Sequence, residues 1–502
     1  MSAYKELEAR FARLSALAEA EGMLHWDMST MMPPGGTTAR AEQLAALTVT
    51  RHDMLTDKRV GELLDRASEK ESKGLGPWQQ ANLREMRRLW RNATALPSDL
   101  VAALSKACSV SETIWRKARP AADFEMLRPS LEEVLRLTRE KAAARGAALG
   151  LDPYDALLDQ YEPGARAKRI DALFGDLAQF LPGFIDRALA AQARRPAPVA
   201  LAGPFPAAQQ RALGVKLMQA IGFDFEHGRL DESAHPFSGG VPDDVRITTR
   251  YDESDFARGL MGILHETGHA LYERGLPKDW RLQPVGEARG MALHESQSLL
   301  MEMQACRSRG FIDYAAPLMR AAFGSPRDNG GPAWEADNIY RVYTRVERGF
   351  IRVDADEVTY PAHVILRYRL ERALIAGDMK LADLPQAWNA GMKELLGVVP
   401  PDDRRGCLQD IHWPDGAWGY FPTYTMGAMA AAQLFQAAKR QDREIEPGIA
   451  RGDFKMLMAW LRSNVHEKGS LLTTDELLQQ ATGAPLGDAA FKAHLQARYL
   501  DG

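Results

Sequence analysis

The sequence predicts a mainly α-helical protein with one small antiparallel β element. Two observations carry that prediction. Apolar residues recur every three to four positions through most of the 502 residues, the spacing of one helix face. Only two short stretches, 223–226 and 244–251, alternate polar with apolar or β-branched residues as strands do. No internal repeat, heptad seam or low-complexity tract breaks the pattern.

In chain order, Leu7, Phe11, Leu14 and Leu17 mark a helix over 4–20, and Pro33-Pro34-Gly-Gly stops the helical run after Trp26. Helical spacing continues over 38–70, 78–93, 98–118 and 128–149, with Pro97-Ser98-Asp99 as a helix start. Pro153 and Pro163 make 150–164 a loop, and a helix follows over 166–194. The Pro/Gly-rich stretch 194–206 reads as a surface loop rather than a hinge. A helix at 207–221 precedes the strand-like stretches. Helices resume at 256–274 and 290–303, then at 335–348, 361–376, 383–396, 423–440, 453–466, 474–482 and 487–499.

Composition narrows the classes. Hydrophobic content of 45 % and charged content of 26 % are those of a soluble globular chain. A formal charge of −4 without a long basic run gives no footprint for nucleic acid. No 18-residue apolar run points to a membrane span, and the first residues lack the apolar core of a signal peptide. Three widely spaced cysteines, Cys108, Cys306 and Cys407, suit a reducing compartment, so the cytoplasm is the expected location.

The chemistry concentrates at His265-Glu-Thr-Gly-His269. On the helix predicted there, His265 and His269 stand at i and i+4 and can grip one metal ion, while Glu266 projects beside them as a base for a metal-activated water. Such a site takes a third protein ligand. Position 275 is Gly, which excludes the HExxHxxGxxH arrangement. Of Glu273, Glu287, Glu295 and Glu302, Glu273 drifts away from the metal along its own helix. Glu295 lies on a second helical stretch that the loop through Pro284 and Gly286 lets fold back over the histidines.

HETGH followed by His294-Glu-Ser-Gln-Ser298 resembles the carboxypeptidase Taq family of zinc metallocarboxypeptidases. The same likeness is carried by His25-Trp-Asp-Met-Ser-Thr-Met-Met-Pro-Pro34, His235-Pro-Phe237, Asp244-Val-Arg-Ile-Thr248, Ile351-Arg-Val-Asp-Ala-Asp-Glu-Val-Thr-Tyr360 and Gly406-Cys-Leu-Gln-Asp-Ile-His-Trp413. It spans essentially the whole chain. HExxH alone identifies a broad class; DxRxT and GxxQDxHW in this order are specific to the family. The resemblance strengthens Glu295 as the third ligand. It implies a large helical gluzincin-type fold with a deep groove, the sheet lying beside the metal site. It also implies a single catalytic domain over 1–502 with two lobes around that groove, zinc or cobalt as the metal, and peptides with a free C-terminus as substrates. Broad specificity with poor release of proline, and a homodimer, complete the implied picture.

Roles beyond the metal ligands stay open in the sequence. Tyr420, then Tyr424 and His412, are the candidates to donate a hydrogen bond to the developing oxyanion. A carboxypeptidase also needs a guanidinium for the substrate carboxylate. Arg348 is the first candidate. Arg246 is the second, with pairing to Asp410 as its alternative role. His235, Asp244 and Gln409 are expected to line or brace the cleft, and Glu357 and Tyr360 to support it. The competing readings are an oligo-endopeptidase with the same metal site and a helical binding protein with a structural zinc. An intact Glu266 argues against the latter, because a purely structural site needs no base.

Overall fold

The computed structural model describes residues 2–324 and 331–501. Among them are twenty α-helices and one three-stranded sheet. None of the helices is long and apolar enough to cross a membrane.

The N-terminal helices form their own small core. Helix α1 (Ala3–Thr30) is capped by the Ser2 side chain and runs past Trp26 to stop just before Pro33 and Pro34. Helix α2 (Thr37–Thr56) lies on it, and Asp57 ends α2 and caps α3 (Lys58–Arg66), which splits the single helix expected over 38–70. With α4 (Pro77–Thr94) these helices bury Leu7, Phe11, Val60, Leu63 and Met86.

Helices α5 (Ser98–Ala121) and α6 (Phe124–Leu149) are joined by Ala122 in a left-handed conformation, φ 55°. Residues 153–161, expected to be loop, are instead helix α7 (Pro153–Tyr161). Proline is compatible with the first helical turn, where its missing N–H has no intrahelical acceptor to lose, and Asp152 caps the turn by accepting from the Tyr154 N–H. After α8 (Ala167–Ala193) the proline-rich stretch is strapped down: Val199 and Asn338 exchange two hydrogen bonds, and Phe205 is buried.

Helix α9 (Ala207–Ile221) leads to the sheet. Its strands are β1 (Gly228–Glu232), β2 (Phe237–Val241) and β3 (Asp244–Thr249), in the order β1-β3-β2. The β2–β3 pair is antiparallel, as expected, and β1–β3 is parallel. The strand expected at 223–226 is a turn, because Asp224 accepts the Glu226 N–H and turns the chain before β1. On β3, Val245 and Ile247 pack with Ile263 and Ala270 of α10 (Phe256–Arg274), which fixes the sheet to the helix carrying HETGH.

The remaining helices build the large core. They are α11 (Met291–Leu299), α12 (Arg309–Phe323), α13 (Ala336–Tyr343), α14 (Tyr360–Ala376), α15 (Leu384–Leu396), α16 (Pro422–Gln441), α17 (Ile445–Ile449), α18 (Lys455–Asn464), α19 (Thr474–Thr482) and α20 (Ala489–Gln496). Helix α12 was not expected from the sequence, and α13 ends at Tyr343 rather than running on to 348. The Met- and Ala-rich α16 is core along most of its length, with Met426, Met429 and Leu434 buried.

Candidate active site

Asp255 caps α10, accepting from the Ala257 and Arg258 N–H groups, and Phe256, Leu260, Met261 and Leu264 sink one face of the helix into the core. His265 and His269 follow one turn apart. Helix α11 packs on α10 at Gly268 and on α16 at Gly427: a β-carbon on Gly427 would stand 2.9 Å from Cβ and Cγ of Glu295. These two close approaches bring Glu295 over the histidines. Its Oε2 lies 3.3 Å from His269 Nε2 and 3.7 Å from His265 Nε2. One ligand atom from each of the three residues falls within 4.8 Å of the other two, a donor set that fits a divalent cation such as zinc.

Each histidine is held by its other nitrogen. His265 Nδ1 is 2.9 Å from Glu302, and Arg307 donates to the second oxygen of that carboxylate at 2.6 Å. His269 Nδ1 is 2.7 Å from His294 Nδ1, and His294 Nε2 is 2.8 Å from Glu273 Oε1. If His269 is to ligate through Nε2, its proton belongs on Nδ1. His294 must then accept there and donate from Nε2 to Glu273. Two carboxylates thus set the tautomers of both ligands.

Glu266 is 8 % exposed. Burial raises its carboxyl to about 7, with Glu295 and Glu302 adding to the rise and His265 opposing it. Burial opposes ionisation of Glu295 too, but the two imidazoles and the Ser298 hydroxyl, which donates to it at 3.2 Å, outweigh it and hold its pKa below the usual range. Burial lowers His269 to about 4, which keeps the imidazole neutral for a metal.

A cavity of about 570 Å³ opens beside this cluster, lined by His265, Glu295, Tyr360 and the chain from Gly349 to Ile351. Behind Tyr360 stands Arg352. Its Nε and Nη2 donate to Asp410 at 3.0 and 2.8 Å, and its Nη1 donates to the Tyr360 hydroxyl at 2.6 Å. The guanidinium is stacked within 5.0 Å of the Tyr424 ring centre. Gln409 accepts the Arg352 N–H at 2.7 Å and donates to the Phe350 carbonyl, so it braces this wall. His412 Nε2 is 3.1 Å from the Tyr424 hydroxyl, and Tyr420 packs against Tyr424 at 5.2 Å. Burial, aided by Arg352 and Arg367 against the pull of Asp410, lowers His412 to about 4, so it is neutral.

The description "Carboxypeptidase Taq (M32) metallopeptidase" matches residues 6–499. The chain belongs to that family. It is 41 % identical to thermostable carboxypeptidase 1 of Thermus thermophilus, over 99 % of this chain and 98 % of that one, and 33 % identical to carboxypeptidase 1 of Bacillus subtilis, over 99 % and 97 %. Among solved structures it is similar to Trypanosoma cruzi metallocarboxypeptidase 1, with a TM-score of 0.96 and 41 % identity over 99 % of both chains. An M32 carboxypeptidase from Deinococcus radiodurans follows at 0.93 and 36 %, again over 99 % of both.

In this metallocarboxypeptidase several expected residues sit elsewhere than the sequence suggested. Arg348 is outside any helix and is turned to Asp186 of α8 and Gly397, away from the cavity lining. Arg246 does not pair with Asp410. It is taken by Asp244 two residues earlier, at 2.6 Å, and stacks on Trp26 at 4.5 Å, tying β3 to α1. Asp410 is instead shared by Arg352 and Arg367. His235 is exposed in the β1–β2 turn, where its carbonyl accepts from Ser233. Glu357 does line the cavity, as Tyr360 does, and it also braces the C-terminus, accepting from Arg498 at 3.0 Å and Tyr499 at 3.1 Å and lying 2.7 Å from His494. The sequence assigns Arg352 no role, and Glu273 and Glu302 figure in it only as candidate metal ligands, whereas they hold His294 and His265. Arg352 lies inside the 351–360 motif, and its contacts with Asp410 and Tyr360 set it apart from Arg246 and Arg348.

Proposed function

We propose that the working metal is zinc, with cobalt as a substitute, and that the enzyme removes residues one at a time from peptides with a free C-terminus. The observation that carries this reading is the Arg352–Tyr360 contact, because Tyr360 lines the same cavity as the ligands His265 and Glu295 and Arg352 stands directly behind it. An exopeptidase needs a cation fixed at a set distance from the scissile bond, and three of the five donors of Arg352 are used, which leaves two for a carboxylate. This assigns to Arg352 the role first expected of Arg348.

His265, His269 and Glu295 would hold the ion. Bound zinc supplies Lewis acidity to a water molecule and to the scissile carbonyl. Glu266 takes the proton from the attacking water and delivers it to the leaving amine; a carboxyl near 7 can serve in both states at neutral pH. Burial holds the phenols of Tyr420 and Tyr424 above their ordinary range, so both stay protonated as donors. His412 Nδ1 is buried without a partner, and an orphan lone pair costs less than an orphan N–H. With its proton on Nε2, His412 donates to the Tyr424 oxygen and leaves the Tyr424 hydrogen for the substrate oxygen. Tyr420 is the second donor. The family's character supports broad specificity with poor release of proline, and a cytoplasmic homodimer.

The test uses wild type and Glu266→Gln on an N-blocked peptide with a free or an amidated C-terminus. The expected result is stepwise loss from the free acid alone, stopped by chelator and reduced about 10²- to 10⁴-fold in the variant. Internal cuts in both peptides would move the enzyme to the endopeptidases. An uncleaved peptide with zinc in place would leave a binding protein.

A further inference from the structure

A second cavity, of about 490 Å³, opens between the first half of α5, the later turns of α6 and the loop after Trp413. Its charged lining is divided. Lys141 and Arg145 sit one turn apart on α6, where Lys141 feels Arg145 as a like charge and Arg145 feels Asp159 as an opposite one. Asp415 feels Glu112 as a like charge, and Cys108 lines the cavity with Lys141, Arg145, Asp415 and Glu112. Among the described residues neither Lys141 nor Arg145 has an ion-pair or hydrogen-bond partner, and Arg145 keeps Nε and Nη1 buried without an acceptor. Glu112 already serves Arg116 at 2.6 Å, which leaves Asp415 as the carboxylate without a cation. Leu100 and Leu104, one turn apart on α5, and Leu96 just before that helix make the third wall apolar.

Other arginines, such as Arg289 and Arg307, also bury one nitrogen without an acceptor but hydrogen-bond through the rest of the guanidinium. Among the arginines of the described residues Arg145 alone buries two, and each loses its hydration and gains nothing. Burial and the neighbouring Arg145 also push the Lys141 ammonium down to about 8, as expected of a cation that lacks its counter-charge. A bare anion would answer the two cations but would face Asp415. A molecule with a carboxylate and an ammonium on one carbon answers both, and an aliphatic side chain answers the leucines.

We propose that this cavity binds a free α-amino acid with an apolar side chain, its carboxylate on Arg145 and Lys141, its ammonium on Asp415 and its side chain against Leu100 and Leu104. Such molecules are what a carboxypeptidase releases. Tyr161, which senses the charges of Arg145 and Asp415, packs edge-on against Tyr420 at 5.0 Å. An occupied site would therefore report product to the wall that carries Tyr420.

Cys108 lines this cavity and not the catalytic one, so it supplies a local readout. In the metal-loaded enzyme, the rate of Cys108 alkylation is followed by peptide-resolved mass spectrometry with leucine, 4-methylpentanoate, isoamylamine or inorganic phosphate present. Leucine is expected to slow alkylation by about tenfold at about ten times its Kd, as mass action requires. Arg145→Met should abolish that protection, and Asp415→Asn should weaken it. Ser105 is exposed on the cavity rim, so Ser105→Trp fills the space without touching the core and should also abolish protection even if Arg145→Met does not fold. Equal protection in Ser105→Trp, or none by leucine in wild type, would overturn the site. Equal protection by 4-methylpentanoate or phosphate would overturn the amino acid as its ligand.

Discussion

Gly268 lies so close to Ser298 that a β-carbon on it would stand 2.7 Å from the Ser298 α-carbon. The contact is backbone, so it cannot yield by a rotamer change. Gly268→Ala should push α11 off α10 and carry Glu295 away from His265 and His269. The expected outcome is a fall in zinc affinity of about 10- to 100-fold, measured by chelator competition, with a loss of about 1–3 kcal/mol in stability from overpacking. Unchanged affinity would mean that the close approach at Gly268 does not place Glu295.

Glu273 acts on the metal through two imidazoles rather than by touching it. Its carboxylate accepts from His294 Nε2, which lets His294 Nδ1 accept the His269 proton and frees His269 Nε2. Glu273→Ala removes the acceptor that holds this arrangement. Zinc affinity should fall by about tenfold, while Glu273→Gln, whose amide oxygen can still accept, should keep most of it. Equal losses in both variants would show that charge, not tautomer, is what Glu273 provides.

How far the site is legible in the sequence depends on the range of the interaction. His265 and His269 share a face through helix geometry alone, so HExxH is readable wherever the helix is. The place of Glu295 needed the path of the loop through Pro284 and Gly286 and the likeness to a family. Arg352 could not be separated from Arg348 or Arg246 by spacing, because the choice is made by Asp410, 58 residues away. The helix expected over 335–348 stops at Tyr343, and the chain beyond it turns Arg348 toward Asp186. Helix α7 was hidden by reading Pro153 as a breaker, although a proline in the first turn is compatible with a helix.

Arg352→Lys separates charge from geometry. Lysine still neutralises Asp410, which the buried Arg352–Asp410–Arg367 group requires, but it cannot hold Asp410, the Tyr360 hydroxyl and a substrate carboxylate together. The KM for a free-acid peptide should rise by about tenfold or more, the equivalent of about 1.4 kcal/mol, with zinc content unchanged. A drop in kcat at constant KM would place Arg352 outside carboxylate recognition.

The acid limit of the fold should bear the mark of Glu357. Burial opposes ionisation of this carboxyl, but His494, Arg498 and the hydrogen bonds around it prevail and bring its pKa from 4.5 to about 2. A carboxyl whose pKa is depressed in the folded state contributes stability above its unfolded value and loses it as pH falls toward the folded one. The stabilisation at neutral pH is on the order of 3 kcal/mol, and it declines from about pH 4.5 downward. Glu357→Gln cannot titrate, so wild type should melt well above the variant at pH 7 and the gap should narrow steadily between pH 5 and pH 3. Melting curves of the two proteins across that range check it. A gap that stays constant with pH would mean that Glu357 braces the 497–501 turn through its hydrogen bonds alone, with its charge making no difference.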